Sequence, residues 1–303
     1  MAALETQSRG EWAIMDAEAE VAFAFLTSAP VRGGIYVGAQ PFETITTNAG
    51  DVLYDRLAPQ DIWSGRGGLR RIDLRRDETS LRRVALVSYQ DGAGLAAINT
   101  LSAPEIEQTL IAAGLPSDAA ASFAARILDY ADEDNHRRFR GAERADYRLA
   151  QRAAPMNSPF RSIEEISSVL GADALLTEQV RRALESYVTT GNRVFGLNAA
   201  FAPPALAGAA RAHAESLNTA PDMVRLTAAT GAFPSVLGRF SILIADGETV
   251  ILERIIEIER AANAIDKPFR RYWIADRVGS QTSDPSDDQI PRLVSAELPA
   301  GDR

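Results

Sequence analysis

The stretch Ile127-Leu-Asp-Tyr-Ala-Asp-Glu-Asp-Asn135 ends an apolar helical pattern in a cluster of carboxylates. It continues through His136-Arg-Arg-Phe-Arg140 into Gly141-Ala-Glu-Arg-Ala-Asp-Tyr147, and we call residues 127–147 the acidic elbow. Like charges this close repel one another unless a cation or basic groups compensate them. The elbow is therefore a cation site, a salt-bridged turn or a solvated helix end. Other features of the sequence are needed to distinguish these three interpretations.

Composition limits the functions that the chain can have. Its 303 residues allow one large domain or two ordinary ones, and a net charge of −9 argues against a general nucleic-acid binder, which needs a clustered basic face. The chain has no cysteine, so disulfides, cysteine zinc sites and cysteine nucleophiles are excluded. Its two histidines, His136 and His213, show no catalytic or zinc-binding spacing. No apolar run reaches the roughly 18 residues of a membrane span, and the start of the sequence has no apolar region typical of a signal peptide.

The first segment, Leu4–Ser28, has the pattern of an amphipathic helix. One stripe at spacings of three and four contains Ile14, Ala17, Val21 and Phe25. The pattern predicts a helix that either packs on a core by this stripe or forms the visible half of a longer helix.

Two groups of strands are predicted from clustered or alternating β-branched and aromatic residues. The first group contains Gly34–Val37, Asp51–Tyr54, Leu69–Leu74 and Leu81–Tyr89. The second contains Phe240–Ala245, Glu248–Glu259 and Phe269–Ile274, which favour an antiparallel meander with a hairpin turn at Asp246-Gly247. For the long middle segment, a helix from Val250 to Ala264 competes with the strand.

The segment between these groups, Leu95 to about Ala214, is predicted to be helical. Helix starts are indicated at Ser102, Ser117, Ser162 and Thr177, two of them with a glutamate at the capping-box position. Residues 279–303 are rich in Ser, Asp, Pro and Gly and are predicted to be a disordered tail. A strand set interrupted by a helical block predicts an α+β fold that carries an inserted α module.

The elbow is the one concentrated candidate for chemistry. Calcium takes six to eight hard oxygen ligands. Asp132, Asp134 and Asn135 are within reach of one ion if the chain leaves the helix after Ala131, and Glu143 with Asp146 could close the site. The elbow does not match an EF-hand, because no glycine occupies the sixth loop position. The alternative is a turn without metal, neutralised by nearby arginines at positions 137, 138, 140 and 144.

Two other functions are weaker alternatives. A calcium-dependent or carboxylate-based hydrolase could use the carboxylate pairs, with His136 beside Asp134 as a base. Residues Ser162–Thr189 faintly suggest a helix-hairpin-helix DNA module, but Gly171 is followed by Ala172 rather than by a Gly-x-Gly hairpin.

Taken together, four stretches resemble the K class of type II secretion minor pseudopilins (general secretion pathway protein K). They are Leu86-Val-Ser-Tyr-Gln-Asp-Gly-Ala-Gly-Leu-Ala-Ala-Ile-Asn-Thr100, the acidic elbow with Gly141-Ala-Glu143, the segment from Met156-Asn-Ser-Pro-Phe160 to Tyr187, and Lys267-Pro-Phe-Arg-Arg-Tyr-Trp273. The sequence departs from the family pattern at Arg144-Ala145, where members usually continue with more acidic residues.

The resemblance implies a pseudopilin fold: a long N-terminal helix packed on an antiparallel sheet, with a large all-α domain inserted between strands. The expected organisation is an N-terminal helix (1–30), a first β part (31–94), the inserted α-domain (95–220), completing strands (221–277) and the tail (278–303).

The function that the resemblance implies is assembly rather than catalysis. We expect a protein of the pseudopilus tip that acts in pseudopilus initiation and length control, with the I and J minor pseudopilins and other pseudopilus subunits as partners. We expect Ile14, Val21 and Phe25 at the partner interface and no binding of nucleic acid. The expected location is the inner membrane, facing the periplasm, with contact to the bilayer only through a membrane-spanning half-helix that family members have before Leu4. Relatives bind calcium in the α-domain, which the resemblance transfers to Asp132, Asp134, Asn135, Glu143 and Asp146.

Overall fold

A computed structural model describes residues 2–38, 57–74, 83–191, 197–218, 233–246, 249–260, 269–278 and 293. It divides into two compact units, the first formed by Met1–Asp91 with Ala232–Arg303 and the second by Gly92–Gly231. In chain order the helices and strands are α1 (Ala2–Thr27), β1 (Pro30–Val31), β2 (Gly34–Tyr36), β3 (Ile62–Ser64), β4 (Arg66–Asp73), β5 (Arg83–Asp91), β6 (Ala96–Ala97), α2 (Ala103–Ala112), α3 (Ser117–Ala131), α4 (Arg144–Leu149), α5 (Ala172–Leu175), α6 (Glu178–Tyr187), β7 (Val188–Thr189), α7 (Ala207–Asn218), β8 (Leu237–Asp246), β9 (Thr249–Arg260) and β10 (Phe269–Val278).

The first unit is a mixed α+β fold in which α1 packs on an antiparallel sheet, as predicted. Ile14, Ala17, Val21 and Phe25 are completely buried in the core shared with the sheet, which confirms the apolar stripe. A glutamate also lies on this side: Glu18 accepts hydrogen bonds from Arg254 Nη1 at 2.9 Å and from Arg271 Nη1 at 2.7 Å. These ion pairs fix the position of the helix along β9 and β10.

The sheet has five strands in the order β10-β9-β8-β5-β4, and every neighbouring pair is antiparallel. The predicted meander is therefore confirmed for β8, β9 and β10. Residues Thr249–Arg260 form a strand rather than the competing helix, and residues 255–259 are buried on both faces of the sheet. A separate three-stranded sheet joins β1, β2 and β3.

Four aromatic rings fill the centre of the first unit. Phe25 lies with its ring centroid 5.3 Å from that of Phe240, which in turn stacks on Tyr89 at 5.3 Å. Trp63 completes the cluster at 5.6 Å from Tyr89. The N-terminal helix, the early strands and the late strands thus contribute to one core.

The sheet pairs strands that are far apart in the sequence. The neighbours β5 and β8 place Asp91 opposite Gly238, so the residues of the second unit lie in the sequence between two adjacent strands. Asp91 is completely buried and accepts hydrogen bonds from the Ser235 backbone N–H at 2.9 Å and from Tyr89 Oη at 2.8 Å. These bonds hold the departing and returning strands together.

The second unit is mainly helical in its described residues. Ser102 and Glu105 form the predicted capping box of α2, and the Thr177 side chain caps α6 by accepting a hydrogen bond from the Val180 N–H. The helix predicted from Ser162 is instead a 3-10 helix over Ile163–Ser168. Glu165 accepts a hydrogen bond from the backbone N–H of Arg161, so the capping box predicted at Ser162 does not form.

The second unit is also not entirely α-helical. Strands β6 and β7 form a short parallel pair in which Ala96 lies opposite Val188 and Ala97 opposite Thr189. The prediction of an all-α domain is corrected in this respect. The pair closes the unit by joining its first residues to the end of α6.

Some predicted segments lie outside the described residues. They are the strand Asp51–Tyr54, the turn residue Gly247 and, except for Leu293, the tail 279–303. Leu293 itself is buried, and its N–H donates to the Arg71 carbonyl at 2.8 Å. Within the described part of the chain, no helix combines the length and the apolar character needed to span a bilayer.

Candidate metal centre

The acidic elbow begins with a buried carboxylate at the end of α3. Asp129 is completely buried, in the last turn of the helix. Its carboxylate accepts hydrogen bonds from the Arg138 backbone N–H at 3.2 Å and from Arg138 Nη1 at 2.8 Å. The buried charge is thus paired, as burial in a low-dielectric environment requires.

The loop after α3 returns to Asp129 through a tight turn. The Gly141 N–H donates to the Arg138 carbonyl at 2.9 Å, which leaves Phe139 and Arg140 as the two central residues. Arg140 has φ of 66°, in the left-handed region that the third position of a type II turn needs. A Cβ added to Gly141 would lie 1.9 Å from Asp129 Oδ2, so only glycine fits at this position.

The next helix starts with a second pair of carboxylates. Glu143 is the N-cap of α4, and its own backbone N–H donates to Asp146 Oδ2 at 2.9 Å. Asp146 Oδ1 accepts a further hydrogen bond from Arg137 Nη1 at 3.1 Å. The backbone hydrogen bond from Glu143, together with Arg137, lowers the pKa of Asp146. Asp146 is therefore a capping residue with its oxygens in use.

Three carboxylates converge between these two pairs. One oxygen each from Asp132, Asp134 and Glu143 lies within 4.8 Å of the others. Oδ1 of Asp132 and both carboxylate oxygens of Glu143 are buried and make no hydrogen bond. The Glu143 side chain faces the Asp146 backbone N–H in a capping-box arrangement and also lies near the Arg144 N–H, but neither contact has the geometry of a full hydrogen bond. Such acceptors are costly to bury without a partner.

The electrostatics of this cluster favour a positive charge. Burial raises the pKa of Glu143, and the neighbouring charges of Asp129, Asp132 and Asp134 raise it further. One cation is already present, because Arg138 Nη1 contacts Asp132 as well as Asp129. These contacts raise the pKa of Arg138. Arg138 leaves the Glu143 carboxylate without a counter-charge of its own.

The donor set fits calcium. The three converging groups are hard carboxylate oxygens on two chain segments, and two of them, Asp132 and Glu143, have buried oxygens without a hydrogen-bond partner. Of the five predicted ligands, the structure brings together Asp132, Asp134 and Glu143. It assigns Asp146 to capping, and it leaves Asn135 exposed on the same loop.

The residues proposed for the two alternative functions are placed differently from what those functions need. His136 Nδ1 does lie 3.5 Å from Asp134 Oδ1, but the His136 side chain is 95% exposed. Asp132 is paired with Arg138 instead of with a second catalytic carboxylate. The segment proposed as a DNA module contains a 3-10 helix, the four-residue helix α5 and then α6, not two helices joined by a hairpin.

The residues predicted for the partner interface are corrected by the structure. Ile14, Val21 and Phe25 are completely buried against the sheet and have no surface to offer another protein. The opposite side of α1 exposes Trp12, Met15 and Phe23, with relative exposures of 68%, 55% and 36%. Spaced by three and eight residues and bridged by exposed Ala19, these side chains form a second apolar stripe, which we call the outer stripe.

Comparison with known proteins supports one family. Residues 84–190 match the family model described as type II secretion system (T2SS), protein K. No curated protein matches the chain significantly. Among solved structures, a chain of the GspK-GspI-GspJ complex from the enterotoxigenic Escherichia coli type 2 secretion system is similar, with a TM-score of 0.54 at 14% sequence identity over 91% of this chain and 98% of that one.

The matched segment contains β5 except for Arg83 and the helices from α2 to α6, and therefore the whole candidate metal centre. The structural similarity extends the same fold over nearly the whole chain. The resemblance predicted from the sequence is thus confirmed, and residues 84–190 belong to the protein K family of the type II secretion system.

Proposed function

We propose that the chain is a non-enzymatic minor pseudopilin at the tip of the type II secretion pseudopilus, acting in pseudopilus initiation and length control at the periplasmic side of the inner membrane. Its partners would be the minor pseudopilins of the I and J classes and other pseudopilus subunits. The family of residues 84–190 supports this proposal, as does the similar chain, which was crystallised together with GspI and GspJ. The proposed fold is a pseudopilin domain with a helical domain inserted between β5 and β8.

The outer stripe of α1 is the observation on which this proposal mainly rests. The inner side of α1 is buried on the sheet of its own unit. Trp12, Met15 and Phe23 lie on the other side of the helix and do not contribute to that packing. Apolar side chains at helical spacing are what a second helix packs against. The outer stripe therefore suits assembly with the N-terminal helices of other pseudopilins, and it replaces the interface predicted from the sequence.

The test is complex formation with purified I-class and J-class soluble domains from the same organism, followed by gel filtration. We expect the three proteins to co-elute at about 10 μM, and Trp12→Ser to weaken binding by at least about tenfold, as for aromatic residues at the centre of an interface. Phe139→Ser is the matched control, because Phe139 is also exposed but lies in the other unit. Separate elution of the wild-type proteins, or equal binding by both variants, would contradict the proposal.

We further propose that the metal centre binds calcium through Asp132, Asp134 and Glu143. The ion would take the place of the missing partners of Glu143 and join the loop after α3 to the start of α4. Its role would be structural, in holding the elbow closed. Isothermal titration of the calcium-free chain is the direct test, with one site expected for the wild type and none for Glu143→Gln.

A further inference from the structure

The first half of the loop after α3, residues 133–135, is held from outside the elbow by Asn157. The side-chain amide of Asn157 donates a hydrogen bond from Nδ2 to the Asp134 carbonyl at 2.7 Å. Among the described residues, this is the only hydrogen bond that residues 133–135 make beyond the elbow. The second half of the loop is fixed differently, by the contacts of Arg138 with Asp129. The position of Asp134 therefore depends on its contact with Asn157.

Asn157 also caps the helix that precedes this loop. Its backbone N–H donates to the Tyr130 carbonyl at 3.0 Å. Tyr130 lies in the last turn of α3, where carbonyl groups lack a partner within the helix. One residue thus bonds both the end of α3 and the carbonyl of Asp134, four residues farther along the chain, and so fixes the path of the backbone between them.

The backbone conformation at position 157 explains why asparagine suits it. Its φ of 48° lies in the left-handed region, which asparagine enters more readily than most other residues. Glycine accepts the same backbone but has no side-chain donor, and the carboxylate of aspartate has no N–H group. Asparagine meets both requirements, the left-handed backbone and the hydrogen bond to the loop.

The segment that carries Asn157 is anchored in the core of the second unit. Phe160 is buried, and its ring stacks on that of Tyr130 with centroids 5.2 Å apart. The side chain of Asn99 accepts a hydrogen bond from the Phe160 N–H at 2.8 Å and donates one to the Phe160 carbonyl at 2.9 Å. Asn157 lies three residues from this anchor, so its amide reaches the loop from a fixed support.

The carboxylate of Asp134 is oriented within the loop that Asn157 holds. Its Oδ1 accepts a hydrogen bond from the His136 N–H at 2.6 Å, and one of its oxygens lies within 4.8 Å of oxygens of Asp132 and Glu143. We infer that Asn157 is a positioning residue for the calcium centre: by holding the Asp134 carbonyl, it keeps the carboxylate of that residue beside the other two before an ion is bound. Ligands that are already in place lose less conformational entropy on binding, which raises the affinity. The inference rests on the calcium site proposed above and adds to it a residue from a third segment of the chain.

Two measurements on the full chain test this role, namely hydrogen exchange in EDTA and isothermal titration with calcium chloride. Asn157→Gly removes the side-chain donor but permits the left-handed backbone and the bond to the Tyr130 carbonyl. We expect residues 132–138 to exchange about fivefold faster than in the wild type without calcium, while exchange of α6 is unchanged. Calcium binding should also weaken about fivefold, as for the loss of one hydrogen bond.

Gln151→Gly is the matched control. Gln151 is exposed and has φ of 54°, so the same substitution is made at a second left-handed position of the unit. This variant should exchange and bind calcium like the wild type.

Unchanged exchange of the loop in Asn157→Gly overturns the inference. Faster exchange with unchanged calcium affinity also overturns it, because a purely structural bond alters stability without altering the affinity of the folded protein. A wild type that binds no calcium refutes the calcium site itself and the positioning role with it, whereas equal binding by the wild type and Asn157→Gly refutes the positioning role alone. The two failures are therefore distinguishable.

Discussion

Replacing Glu143 by glutamine gives the sharpest test of the metal centre. Glu143 is buried, its two carboxylate oxygens lack hydrogen bonds of full geometry, and burial together with the neighbouring carboxylates raises its pKa. In the calcium-free protein the ionised side chain is thus destabilising. Glutamine keeps the shape and removes the charge, so we expect Glu143→Gln to be at least as stable as the wild type without calcium and to lose the response to calcium.

The size of the calcium response follows from mass action. Sites in extracellular modules bind calcium with Kd of about 10⁻⁴–10⁻³ M. At 10 mM calcium, binding to the folded state alone adds about 1.4–2.7 kcal/mol to the free energy of unfolding. For a unit of the size of residues 92–231, this corresponds to an increase in Tm of about 3–10 °C. Scanning calorimetry at pH 7, with EDTA or with 10 mM calcium, measures both quantities.

The matched control is Glu164→Gln, which removes an exposed glutamate from the same unit. It should keep the full calcium response, whereas 10 mM magnesium should give much less stabilisation because magnesium demands a stricter octahedral geometry. A calcium response of equal size in Glu143→Gln and the wild type would refute the assignment of Glu143 as a ligand. No response in the wild type would refute the calcium site and leave Arg138 as the elbow's cation.

Three further substitutions test the surroundings of the site and the attachment of α1. Arg138→Gln should lower the free energy of unfolding without calcium by about 1.5–3 kcal/mol, because Asp129 loses a charged hydrogen bond. The same substitution should enlarge the calcium response, because Asp132 loses its arginine partner. Urea unfolding with and without calcium measures both effects. Gly141→Ala should destabilise the second unit by more than about 2 kcal/mol, because its Cβ would overlap Asp129, while Gly208→Ala, whose Cβ would meet only the flexible end of the Gln108 side chain, should cost much less. Glu18→Ala should destabilise the first unit by about 1–2 kcal/mol, because two hydrogen bonds between charged groups are lost while Arg254 keeps its ion pair with Asp276 and Arg271 is half-exposed. Replacement of the exposed Glu11 on the same helix by alanine should cost less than about 0.5 kcal/mol, and hydrogen exchange of α1 would report both losses.

Much of the fold could be predicted because local signals and tertiary packing agree. The three- and four-residue spacing from Ile14 to Phe25 predicts the buried side of α1, and alternation across Thr249–Arg260 fits β9. The predicted helix starts are confirmed at Ser102, Ser117 and Thr177; Ser102 takes part in a capping box, and the Thr177 side chain accepts the capping hydrogen bond. At Ser162 the same pattern failed because Glu165 found a different backbone donor, which no spacing rule specifies.

The site was predictable in its location but not in its ligand set. A spacing argument identifies five oxygen-bearing side chains near one loop, yet it cannot tell which oxygens turn inward. Asp146 was predicted as a ligand and instead caps the start of α4, because its position three residues after Glu143 brings it to that residue's N–H. Asp129 was overlooked as part of the site because it lies within the helical pattern. The sequence did contain one sign of this contact, the glycine at position 141. A side chain at that position would overlap Asp129, which is evident only from the structure.

The partner interface illustrates a related limit. Helix α1 has two apolar stripes, and periodicity alone does not say which of them faces its own sheet. In the structure the stripe of Ile14, Val21 and Phe25 faces the sheet, where the Phe25 ring contacts those of Phe240 and Tyr89. The second stripe, which contains Trp12, Met15 and Phe23, is therefore exposed on the surface of the unit. What a sequence presents as one amphipathic helix is in the structure a helix with an internal and an external apolar side.

A bound calcium ion and a bound proton are two alternative ways to neutralise the excess negative charge in the elbow. Arg138 satisfies Asp129 and one oxygen of Asp132, which leaves Oδ1 of Asp132 and the whole Glu143 carboxylate without partners. Because the folded-state pKa of Glu143 is raised, the folded protein binds a proton there more readily than the unfolded chain does. Without calcium, the contribution of Glu143 to stability therefore falls as the pH rises from the unfolded pKa through the folded one. Calcium binding needs the ionised carboxylate, so the calcium response should grow over that same pH range. Opposite slopes for the two forms of the wild type, both flattened in Glu143→Gln, would identify Glu143 as the group that exchanges a proton for the ion.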